Sequence, residues 1–417
     1  MEELRLANEV LNEIIINGQT TKKAINKIFS ASQKARKHAS IVSILVGCEL
    51  RHHIMFSSNF TEELASLSEE EKNLIYLVMA NNFFLKRLSK GECEKYIKDV
   101  LKDKYDEKLS SLLNFDGNLS ELVKFDKTSL KYTSVRFNTP EWLVKMWKKH
   151  YGNKNTYLTL KANITQPKTF VMKNTIKEVE LTSDFEKSEF ENIYTYLPKT
   201  SIKKNSLYKA ESGLGGVYRV NPVLIGLIDK YLDPLSKEWT IYSGEDDEIV
   251  KHFYVKSNRE VGINLAIPSL DDRPNLHRLI RLERIKNINM FKGDSPVALS
   301  LGISYKQDFV LVYPRSSSFN RIRLYPDYVL HFKKEELDEI IKTQKESLKN
   351  LSDFVTDNGV LIYFVDTLNK KETKQIVDEF LKENPDFSLI EEKQCFPFEN
   401  SDVTSYYAVF KLEVAND

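Results

Sequence analysis

A run of lysines and aromatic residues between Trp142 and Thr175 is the first feature of the sequence that suggests a chemistry. The stretch contains no acidic residue, and tryptophan, tyrosine and phenylalanine side chains are interleaved with its lysines. Uncompensated ammonium groups beside flat aromatic rings favour binding of a phosphate backbone with unstacked bases. The lysines concerned are Lys145, Lys148, Lys149, Lys154, Lys161, Lys168 and Lys173. A second interpretation stays open, in which Trp142 and Trp147 belong to the core of a short helix and the lysines solvate its outer face.

The cysteines do not form a recognisable site. Cys48, Cys93 and Cys395 lie far apart in the sequence, without CxxC or Cys/His spacing. This pattern argues against a disulfide framework and against a zinc site. We therefore expect reduced thiols that are buried as small apolar groups. Residues 51–53, Arg-His-His, are typical of a solvated helix end more than of a set of metal ligands.

Length and charge set the outer limits. The chain has 417 residues, more than one hydrophobic core usually serves, which predicts two or three domains. A formal net charge of +1 gives no overall electrostatic argument for a nucleic-acid partner, so that argument depends on local clusters. No apolar run reaches the roughly 18–20 residues of a membrane span, and the N-terminal Met1-Glu2-Glu3 is acidic where a signal peptide is basic. We expect a cytoplasmic monomer without membrane contact.

Two kinds of hydrophobic pattern divide the chain into parts that position these residues. Apolar residues recur at helical spacing from residue 2 to residue 114, which predicts an all-α bundle over the first ~130 residues. From about residue 216, apolar runs such as Val261–Ile267, Phe309–Val312 and Val360–Val365 alternate with helical patterns, which favours a doubly wound, mostly parallel sheet. A ligand of such a sheet lies at the carboxyl ends of its strands. The helical patterns after residue 20 are 22–36, 38–56, 61–66, 69–89, 92–103, 106–114, 222–232, 274–288, 334–355 and 371–383.

Six segments, spread over nearly the whole chain, resemble one enzyme family in their order and spacing. They are RLANEVLNEIIING at 5–18, FNTPEWLVKMWKKHYG at 137–152, GGVYRVNPVLIGLIDKYLDP at 215–234, NRIRLYPDYVLHF at 320–332, NGVLIYFVDTLNKKETKQIVDEFL at 358–381 and KQCFPFENSDVTSYYAVFKLE at 393–413. The family is the Sun (Fmu, RsmB-like) group of bacterial ribosomal RNA cytosine-C5 methyltransferases.

This resemblance implies a fold of the α plus α/β class in three parts. A NusB-like helical RNA-binding domain would cover 1–135, a basic α+β connecting subdomain 136–215, and a Rossmann-like methyltransferase domain 216–417. The resemblance also implies RNA as the partner, with 16S ribosomal RNA or the small ribosomal subunit as the expected target.

Both cysteines that carry the family's chemistry are replaced in this sequence. Matching Tyr325-Pro326-Asp327 to the family's His-Pro-Asp places Ser316 at the cysteine of the Pro-Cys position. Matching Leu361-Ile362-Tyr363 to Leu-Val-Tyr places Asp366 at the cysteine of Thr-Cys-Ser. Family members attack cytosine C6 with a thiolate, whereas a serine needs a dedicated base and an aspartate is a weak nucleophile. The resemblance therefore implies that no catalytic residue is retained.

The cofactor positions are changed as well. Where the family has a glycine-rich turn after the first strand, this sequence has Gly244 followed by the acidic run Glu245–Glu248, which would repel a carboxylate. An acidic first turn that caps the following helix is the favoured explanation of this run. The candidates that still match by position are Gly244, Asp271 and Asp294. We expect no bound cofactor, or S-adenosylmethionine if the protein is active.

Basic residues on the side that faces the substrate in the family are kept. Arginine can bind phosphate through two parallel hydrogen bonds, and three arginines lie in the loop concerned. With part of the basic stretch they make up the predicted RNA contacts, which are Lys145, Lys148, Lys149, Lys154, Arg315, Arg321 and Arg323. The segment Asn275–Lys292 predicts a further helix with an arginine-rich outer face, a pattern that a solvated helix also shows.

Three functions remain open at this point. The favoured one is a catalytically inactive, RNA-binding relative of the family, a pseudoenzyme with a role in ribosome biogenesis. The second is an active S-adenosylmethionine-dependent RNA methyltransferase with an altered site. The third is a protein-interaction factor that docks through its NusB-like domain and contacts RNA only incidentally.

Overall fold

The computed structural model of the chain divides into two compact units. Unit 1 comprises Met1–Thr165 and Arg321–Phe332, and unit 2 comprises Gln166–Asn320 and Lys333–Asp417. The predicted division into three domains, with boundaries after residues 135 and 215, stays a prediction. The residues described are 1–30, 33–117, 119–198, 200–208, 214–233, 235–244, 247–268, 274–293, 299–300, 303 and 305–413.

Unit 1 contains the predicted all-α bundle. Its helices are α1 (Glu2–Ile15), α2 (Thr21–Ser30), α3 (Ala39–Leu50), α4 (His53–Asn59), α5 (Glu69–Ala80), α6 (Lys90–Leu101), α7 (Glu107–Leu113), α8 (Leu130–Arg136) and α9 (Glu141–Asn163). Each amphipathic helix buries one apolar stripe; in α1, Leu4, Val10 and Ile14 are fully buried. Helix α5 begins at a capping box, in which Ser68 Oγ accepts the Glu71 N–H and the Glu71 carboxylate accepts the Ser68 N–H.

Two predicted helices of unit 1 are divided or replaced in the structure, and the α-helices in the patterns over 22–36 and 69–89 end earlier, at Ser30 and Ala80. The pattern over 38–56 is divided between α3 and α4, because the backbone of His52 leaves the helical region (φ −126°, ψ 4°). The pattern over 61–66 forms turns instead of a helix. Apolar spacing alone therefore overestimates helix length where the chain turns between two helices.

Interruptions also shorten the long helices of unit 1. Helix α9 is broken at Gly152, whose φ of 78° lies in the left-handed region that glycine tolerates best. The helical stretches Ala35–Leu50 and His53–Asn59 are bent by 56° relative to each other. In the described part of the chain, no single helix has both the length and the apolar character of a membrane span. Only the two stretches of this bent pair, counted together, are long and apolar enough.

Unit 2 begins with a small antiparallel sheet. Its strands β1 (Thr169–Lys173), β2 (Phe185–Lys187), β3 (Ile193–Tyr196) and β4 (Val217–Arg219) lie in the order β2-β3-β1-β4. One face of the sheet covers its own apolar cluster, which includes Val171, Phe185 and Val217. This sheet lies within the segment that was predicted to be the α+β connection.

A larger sheet of seven strands follows among the described residues. In spatial order its strands are β10 (Phe387–Cys395), β11 (Ser405–Leu412), β9 (Val355–Val365), β8 (Gln307–Tyr313), β5 (Glu238–Ser243), β6 (Gly262–Ile267) and β7 (Ile288–Lys292). Strands β9, β8, β5, β6 and β7 are parallel to one another, whereas β11 is antiparallel to both β9 and β10. Side chains alternate between two apolar clusters; Ile241 and Leu311 belong to one, and Tyr242 and Val312 to the other.

Helices cover both of these faces, which confirms the predicted doubly wound α/β fold. They are α10 (Pro222–Tyr231), α11 (Asp247–Lys256), α12 (Pro274–Glu283), α13 (Lys334–Ser352) and α14 (Lys374–Glu383). The strand order reverses at β5, which lies between β6 and β8. In sheets of this kind, ligands bind at the carboxyl ends of the strands beside such a reversal. The loops after β5, β8 and β9 are therefore the place to look for a site.

The predicted helix over Asn275–Lys292 is wrong in its second half. Helix α12 ends at Glu283, and Ile288–Lys292 forms strand β7, paired in parallel with β6. Arg284 adopts a left-handed conformation (φ 51°), which ends the helix. The pairing with β6 decides the conformation here, because the apolar residues from Ile285 onward fit a strand as well as a helix.

Candidate functional site

The loops after β8 and β9 meet at the carboxyl edge of the large sheet. These strands are adjacent and parallel, with Val312 opposite Tyr363, so the residues that follow leave the sheet side by side. The structure brings together Ser316 and Asp366, the two residues that the sequence analysis matched to the family's cysteines: Ser316 Oγ donates a hydrogen bond to the carbonyl oxygen of Asp366 at 3.2 Å.

The hydroxyl of Ser316 is used to join these two loops. Ser316 is 4% exposed, and its Oγ also accepts the N–H of Ser318 at 3.1 Å. Among the described residues, neither a carboxylate oxygen nor an imidazole nitrogen is hydrogen-bonded to Ser316 Oγ. A serine becomes a nucleophile only when a neighbouring base takes its proton. The arrangement therefore holds the loop and does not activate the hydroxyl.

The carboxylate of Asp366 is engaged by an aromatic residue. Its Oδ2 accepts a hydrogen bond from the hydroxyl of Tyr313, the last residue of β8. The ring of Tyr313 packs edge-on against Phe364, with 5.2 Å between ring centroids, and only 8% of Tyr313 is exposed. The Tyr313–Asp366 pair thus joins the ends of β8 and β9 by a second contact.

A third contact between the loops comes from Glu372, a residue that the sequence analysis missed. Glu372 is fully buried, and its carboxylate accepts hydrogen bonds from several fully buried donors. The donors are Ser317 N (2.7 Å), Ser317 Oγ, Asn369 Nδ2 (2.9 Å), Gln344 Nε2 (3.2 Å) and Thr367 Oγ1 (3.3 Å). Burial raises the pKa of Glu372, and the hydrogen bonds from Ser317, Asn369 and Gln344 oppose that rise.

One signal in the sequence could have identified Glu372. Ile376 and Phe380 follow it at helical spacing, and both belong to the buried face of α14. A glutamate in line with such an apolar stripe is predicted to be buried, and a buried carboxylate needs several donors. The small polar side chains after β8 and β9 supply them.

The end of β5 is closed against the loop after β8. The N–H of Gly244 donates to the carbonyl oxygen of Tyr313 at 2.7 Å. A Cβ atom at Gly244 would lie 2.1 Å from the backbone nitrogen of Arg315 and 2.5 Å from the carbonyl carbon of Pro314. Glycine is required here by the close approach of two backbones. The Gly244 N–H is therefore used to join the end of β5 to the end of β8.

The acidic run after Gly244 has a structural role at its last residue. Glu248 Oε1 accepts hydrogen bonds from Tyr208 Oη (3.0 Å) and Lys251 Nζ (2.6 Å), and Oε2 accepts the backbone N–H of Arg219 (3.1 Å). Helix α11 is thereby fastened to β4 and to the segment before it. The other predicted cofactor residues, Asp271 and Asp294, lie outside the described residues.

Two of the cysteines, Cys93 and Cys395, are buried, and Cys48 is partly buried. Burial raises the pKa of Cys48, Cys93 and Cys395 to about 11 in each case. Cys395 lies near the level of the site in the sheet. On β11, Ser405 is paired with Cys395 of β10, and the next residue, Tyr406, is paired with Val365 at the end of β9. Two strand spacings of ~4.8 Å separate such positions. In the described part of the chain, no group of three or more His, Cys, Asp or Glu side chains could hold a metal ion.

The three arginines of the predicted RNA loop differ in their environment. Arg315 and Arg321 are exposed, each in its own unit. Arg323 is only 4% exposed, and its guanidinium donates to the carbonyl oxygen and the hydroxyl of Thr165 at 3.3 and 3.2 Å. Its carbonyl oxygen accepts from Arg51 Nη1 at 2.9 Å. The charge of Arg323 is therefore used inside unit 1 and is not presented at the surface.

The predicted lysine contacts all lie on helix α9. Lys145, Lys149 and Lys154 are exposed, and Lys148 is partly buried. Trp147 is buried in the core, as the second interpretation of this stretch expected, whereas 44% of Trp142 is exposed. The second interpretation therefore holds for Trp147 and not for Trp142, and the RNA contacts of the lysines stay a prediction.

Comparison with known proteins confirms the resemblance to the Sun family and the methyltransferase fold. No family model matches the chain. The probable ribosomal RNA small subunit methyltransferase B of Bacillus subtilis (strain 168) is 23% identical over 262 residues, which is 60% of this chain and 57% of that protein. The chain thus spans little more than half the length of this curated relative.

Solved structures agree on the fold. The crystal structure of PH0851 matches with a TM-score of 0.72 at 15% identity and covers 98% of each chain. A methyltransferase homologue from Pyrococcus horikoshii matches with a TM-score of 0.53 at 12% identity, over 69% of this chain and 99% of that chain. NSun6 from Pyrococcus horikoshii with SFG gives a TM-score of 0.52 at 11% identity, over 67% and 99% of the two chains.

Proposed function

We propose that this protein binds ribosomal RNA with a methyltransferase fold that no longer transfers a methyl group to cytosine C5. The observation that carries the proposal is the arrangement of Ser316 and Asp366, which occupy the positions of the family's two cysteines. The Ser316 hydroxyl joins two loops, and the Asp366 carboxylate accepts the Tyr313 hydroxyl. Neither side chain can replace a thiolate that adds to cytosine C6.

The cysteines elsewhere in the chain support this proposal. At neutral pH, a thiol with a pKa of about 11 is ionised to roughly one part in ten thousand. Cys395, the cysteine that the sheet register brings closest to Asp366, is 1% exposed and packs in the apolar core. A nucleobase would have no access to a reactive sulfur there.

The described cofactor positions support the same conclusion. S-adenosylmethionine supplies the methyl group in active methyltransferases, and a glycine-rich turn offers its carboxylate free N–H donors. The Gly244 N–H is already bonded to Tyr313 O, and the Glu248 carboxylate that follows is held by Lys251, Tyr208 and the Arg219 N–H. These residues do not fit the cofactor's carboxylate, and we propose that the protein does not retain it.

RNA binding is inferred from the relative and from charge. The curated relative is named a probable ribosomal RNA small subunit methyltransferase. Exposed cations lie on α9 and in the loop after β8, where Arg315 is exposed. Phosphate contacts by such groups make affinity strongly dependent on salt concentration. We propose small-subunit ribosomal RNA as the target on the strength of the relative's name.

Crosslinking to RNA that contains 5-fluorocytosine tests the loss of chemistry. The fluorine at C5 traps the covalent enzyme–base adduct after methyl transfer, so an active enzyme shifts to a slower band on a denaturing gel. We expect no adduct from this protein with S-adenosylmethionine present, and an adduct from the Bacillus subtilis relative on the same RNA. A stable adduct with this protein would refute the proposal.

A second candidate is an active methyltransferase with an altered site, which the similarity to a probable methyltransferase favours. An active methyltransferase must bind S-adenosylmethionine, whereas an RNA-binding protein without methyl transfer need not. Isothermal titration with S-adenosylmethionine separates the two, because micromolar binding supports the second candidate. Absence of heat at millimolar cofactor excludes it.

A further inference from the structure

We propose that helix α9 carries a binding platform for single-stranded RNA, made of two lysine–aromatic stripes. This inference rests on the proposed RNA-binding function and assigns it a surface and a form of RNA. The first stripe is Trp142, Lys145 and Lys149, and the second is Lys154, Tyr157 and Lys161.

Both stripes follow from the same helical spacing on either side of the break at Gly152. In each stripe the residues stand at positions i, i+3 and i+7, which share one face of a helix. The opposite faces are buried: Leu143, Val144 and Trp147 in the first half of the helix, and Thr156, Leu160 and Asn163 in the second. The four lysines of the stripes are exposed, and so are 44% of Trp142 and 48% of Tyr157.

Each exposed aromatic ring is held in place by a second ring. Trp142 stacks on Phe332 with 6.1 Å between ring centroids and an interplanar angle of 21°. Tyr157 meets Phe137 edge-on at 5.8 Å, and Phe137 is itself 6% exposed. A ring that is fixed before binding loses little conformational entropy when a base stacks on it. Exposed aromatic rings that are fixed in this way are suited to contact a flat ligand.

The charge around these rings is positive and not neutralised. No ion pair or side-chain hydrogen bond to Lys145, Lys149, Lys154 or Lys161 occurs within the described residues, although lysines elsewhere on unit 1 form many. The sequence contains no acidic residue between Glu141 and Glu178. Arg136 adds a further cation, 5.3 Å from the ring centroid of Phe137. The surface is therefore complementary to a polyanion.

Aromatic rings between the lysines select single-stranded RNA among polyanions. A duplex hides the faces of its bases, so it offers phosphates to lysines but no face to a ring. In a single strand every base has a free face that can stack on an aromatic side chain, whatever its identity. An acidic protein would use the lysines but would offer carboxylates, and no flat base, to the exposed faces of Trp142 and Tyr157.

Tryptophan fluorescence gives a direct test, because the other two tryptophans, Trp147 and Trp239, are each 1% exposed. The full-length protein is titrated with single-stranded RNA of mixed sequence, with the same RNA as a duplex, and with poly-glutamate. We expect the single strand to quench the emission of Trp142 and to bind more tightly than the duplex. Anisotropy of labelled RNA gives the affinity at several salt concentrations.

Variants separate stacking from charge. W142A is expected to weaken single-strand binding roughly 5- to 100-fold, whereas W142F keeps the ring and stays within about threefold of the wild type. Each of the pairs K145E/K149E and K154E/K161E should lower the slope of log affinity against log salt by roughly 1–2. The matched control is K342E/K349E, two exposed lysines seven positions apart on α13, which should change affinity less than about twofold.

The outcomes distinguish this platform from the function on which it rests. RNA binding with unchanged tryptophan emission and unaffected stripe variants would place the RNA elsewhere and leave the proposed function intact. Equal binding and quenching by the duplex would overturn the single-strand preference. Competition by poly-glutamate with the same change in Trp142 emission would point to an acidic protein. Failure to bind any RNA would refute the proposed function itself.

Discussion

At the scale of single residues, Glu372 controls the geometry of the candidate site. Replacing it with alanine removes the acceptor of two buried donors, the Ser317 N–H and Asn369 Nδ2. Unsatisfied buried donors are costly, so we expect E372A to lower the free energy of unfolding by about 3 kcal/mol or more. Glutamine keeps the shape and one acceptor oxygen, so E372Q should lose less than half of that amount. Urea unfolding followed by circular dichroism measures both.

The control for this prediction lies on α14, which begins two residues after Glu372. Glu379 of α14 forms a surface ion pair with Lys345, and its side chain is 44% exposed. Such pairs contribute little, so E379A should change the free energy of unfolding by less than about 1 kcal/mol. If E372A is no more destabilising than E379A, the carboxylate of Glu372 does not hold the two loops together.

A second prediction at this scale concerns the pH dependence of unit 1. Burial lowers the pKa of His53, but the buried carboxylate of Glu49, 2.6 Å away, raises it more, and the net pKa lies above its ordinary value. A raised pKa in the folded state gives stability below the unfolded pKa of about 6.5 that is lost as pH rises through the folded pKa. The difference in urea midpoint between wild type and H53Q should therefore shrink between pH 6 and pH 9.

The neighbouring histidine provides the comparison for this pH effect. Burial lowers the pKa of His52, whose Nδ1 lies 2.9 Å from the carbonyl oxygen of Cys48 and whose ring stacks on Phe84. His52 is thus neutral in both folded and unfolded chains above pH 7, and H52Q should cost the same at pH 7 and pH 9. A pH-independent difference for H53Q would show that the ion pair with Glu49 does not contribute.

At the scale of elements, the contact between β5 and the loop after β8 determines what the site can accept. A methyl group at Gly244 would overlap the backbone of Pro314 and Arg315, neither of which is the flexible end of a side chain. We expect G244A to lower the free energy of unfolding by more than about 2 kcal/mol, because one of the two loops must shift. Urea unfolding monitored by circular dichroism is again the measurement.

A second glycine provides the control for this prediction, because alanine there adds a methyl group without a clash. Gly226 lies on the exposed face of α10, with no atom within 4 Å of an added Cβ. Alanine is the better helix former, so G226A should raise the free energy of unfolding by about 0.5–1 kcal/mol. Equal effects of G244A and G226A would mean that the loops are not in close contact.

Helices and strands were predicted correctly where the apolar runs are clear. They were missed where pairing with a segment distant in the sequence determines the conformation. The run Val360–Val365 predicts most of strand β9 and places Asp366 directly after its end. The start of β7 was missed because Ile288 and Met290 gain their strand conformation from pairing with β6. The burial of Arg323 was missed because it depends on Thr165, which is distant in sequence. Contacts between distant residues leave no local pattern.

At the scale of the whole molecule, the changes at the sheet edge reinforce one another. Three loops are involved: Gly244 after β5 bonds to Tyr313, Tyr313 bonds to Asp366, and Ser316 bonds to the carbonyl oxygen of Asp366. Glu372 then ties the latter two loops from within the core. A change at any one of these positions leaves the other contacts in place. The proposed loss of methyl transfer therefore rests on the whole edge and not on a single residue.

The last prediction follows from this distribution. Restoring both thiols in the variant S316C/D366C should not restore methyl transfer, because the Gly244 N–H stays bonded to Tyr313 and no cofactor cradle is recreated. The assay is transfer of radiolabelled methyl from S-adenosylmethionine to ribosomal RNA, with the Bacillus subtilis relative as positive control. The variant also loses the Tyr313–Asp366 hydrogen bond, so its free energy of unfolding should be about 1–3 kcal/mol lower than that of the wild type. Incorporation of label above the wild-type background would show that the cofactor still binds and that the two cysteines alone were missing.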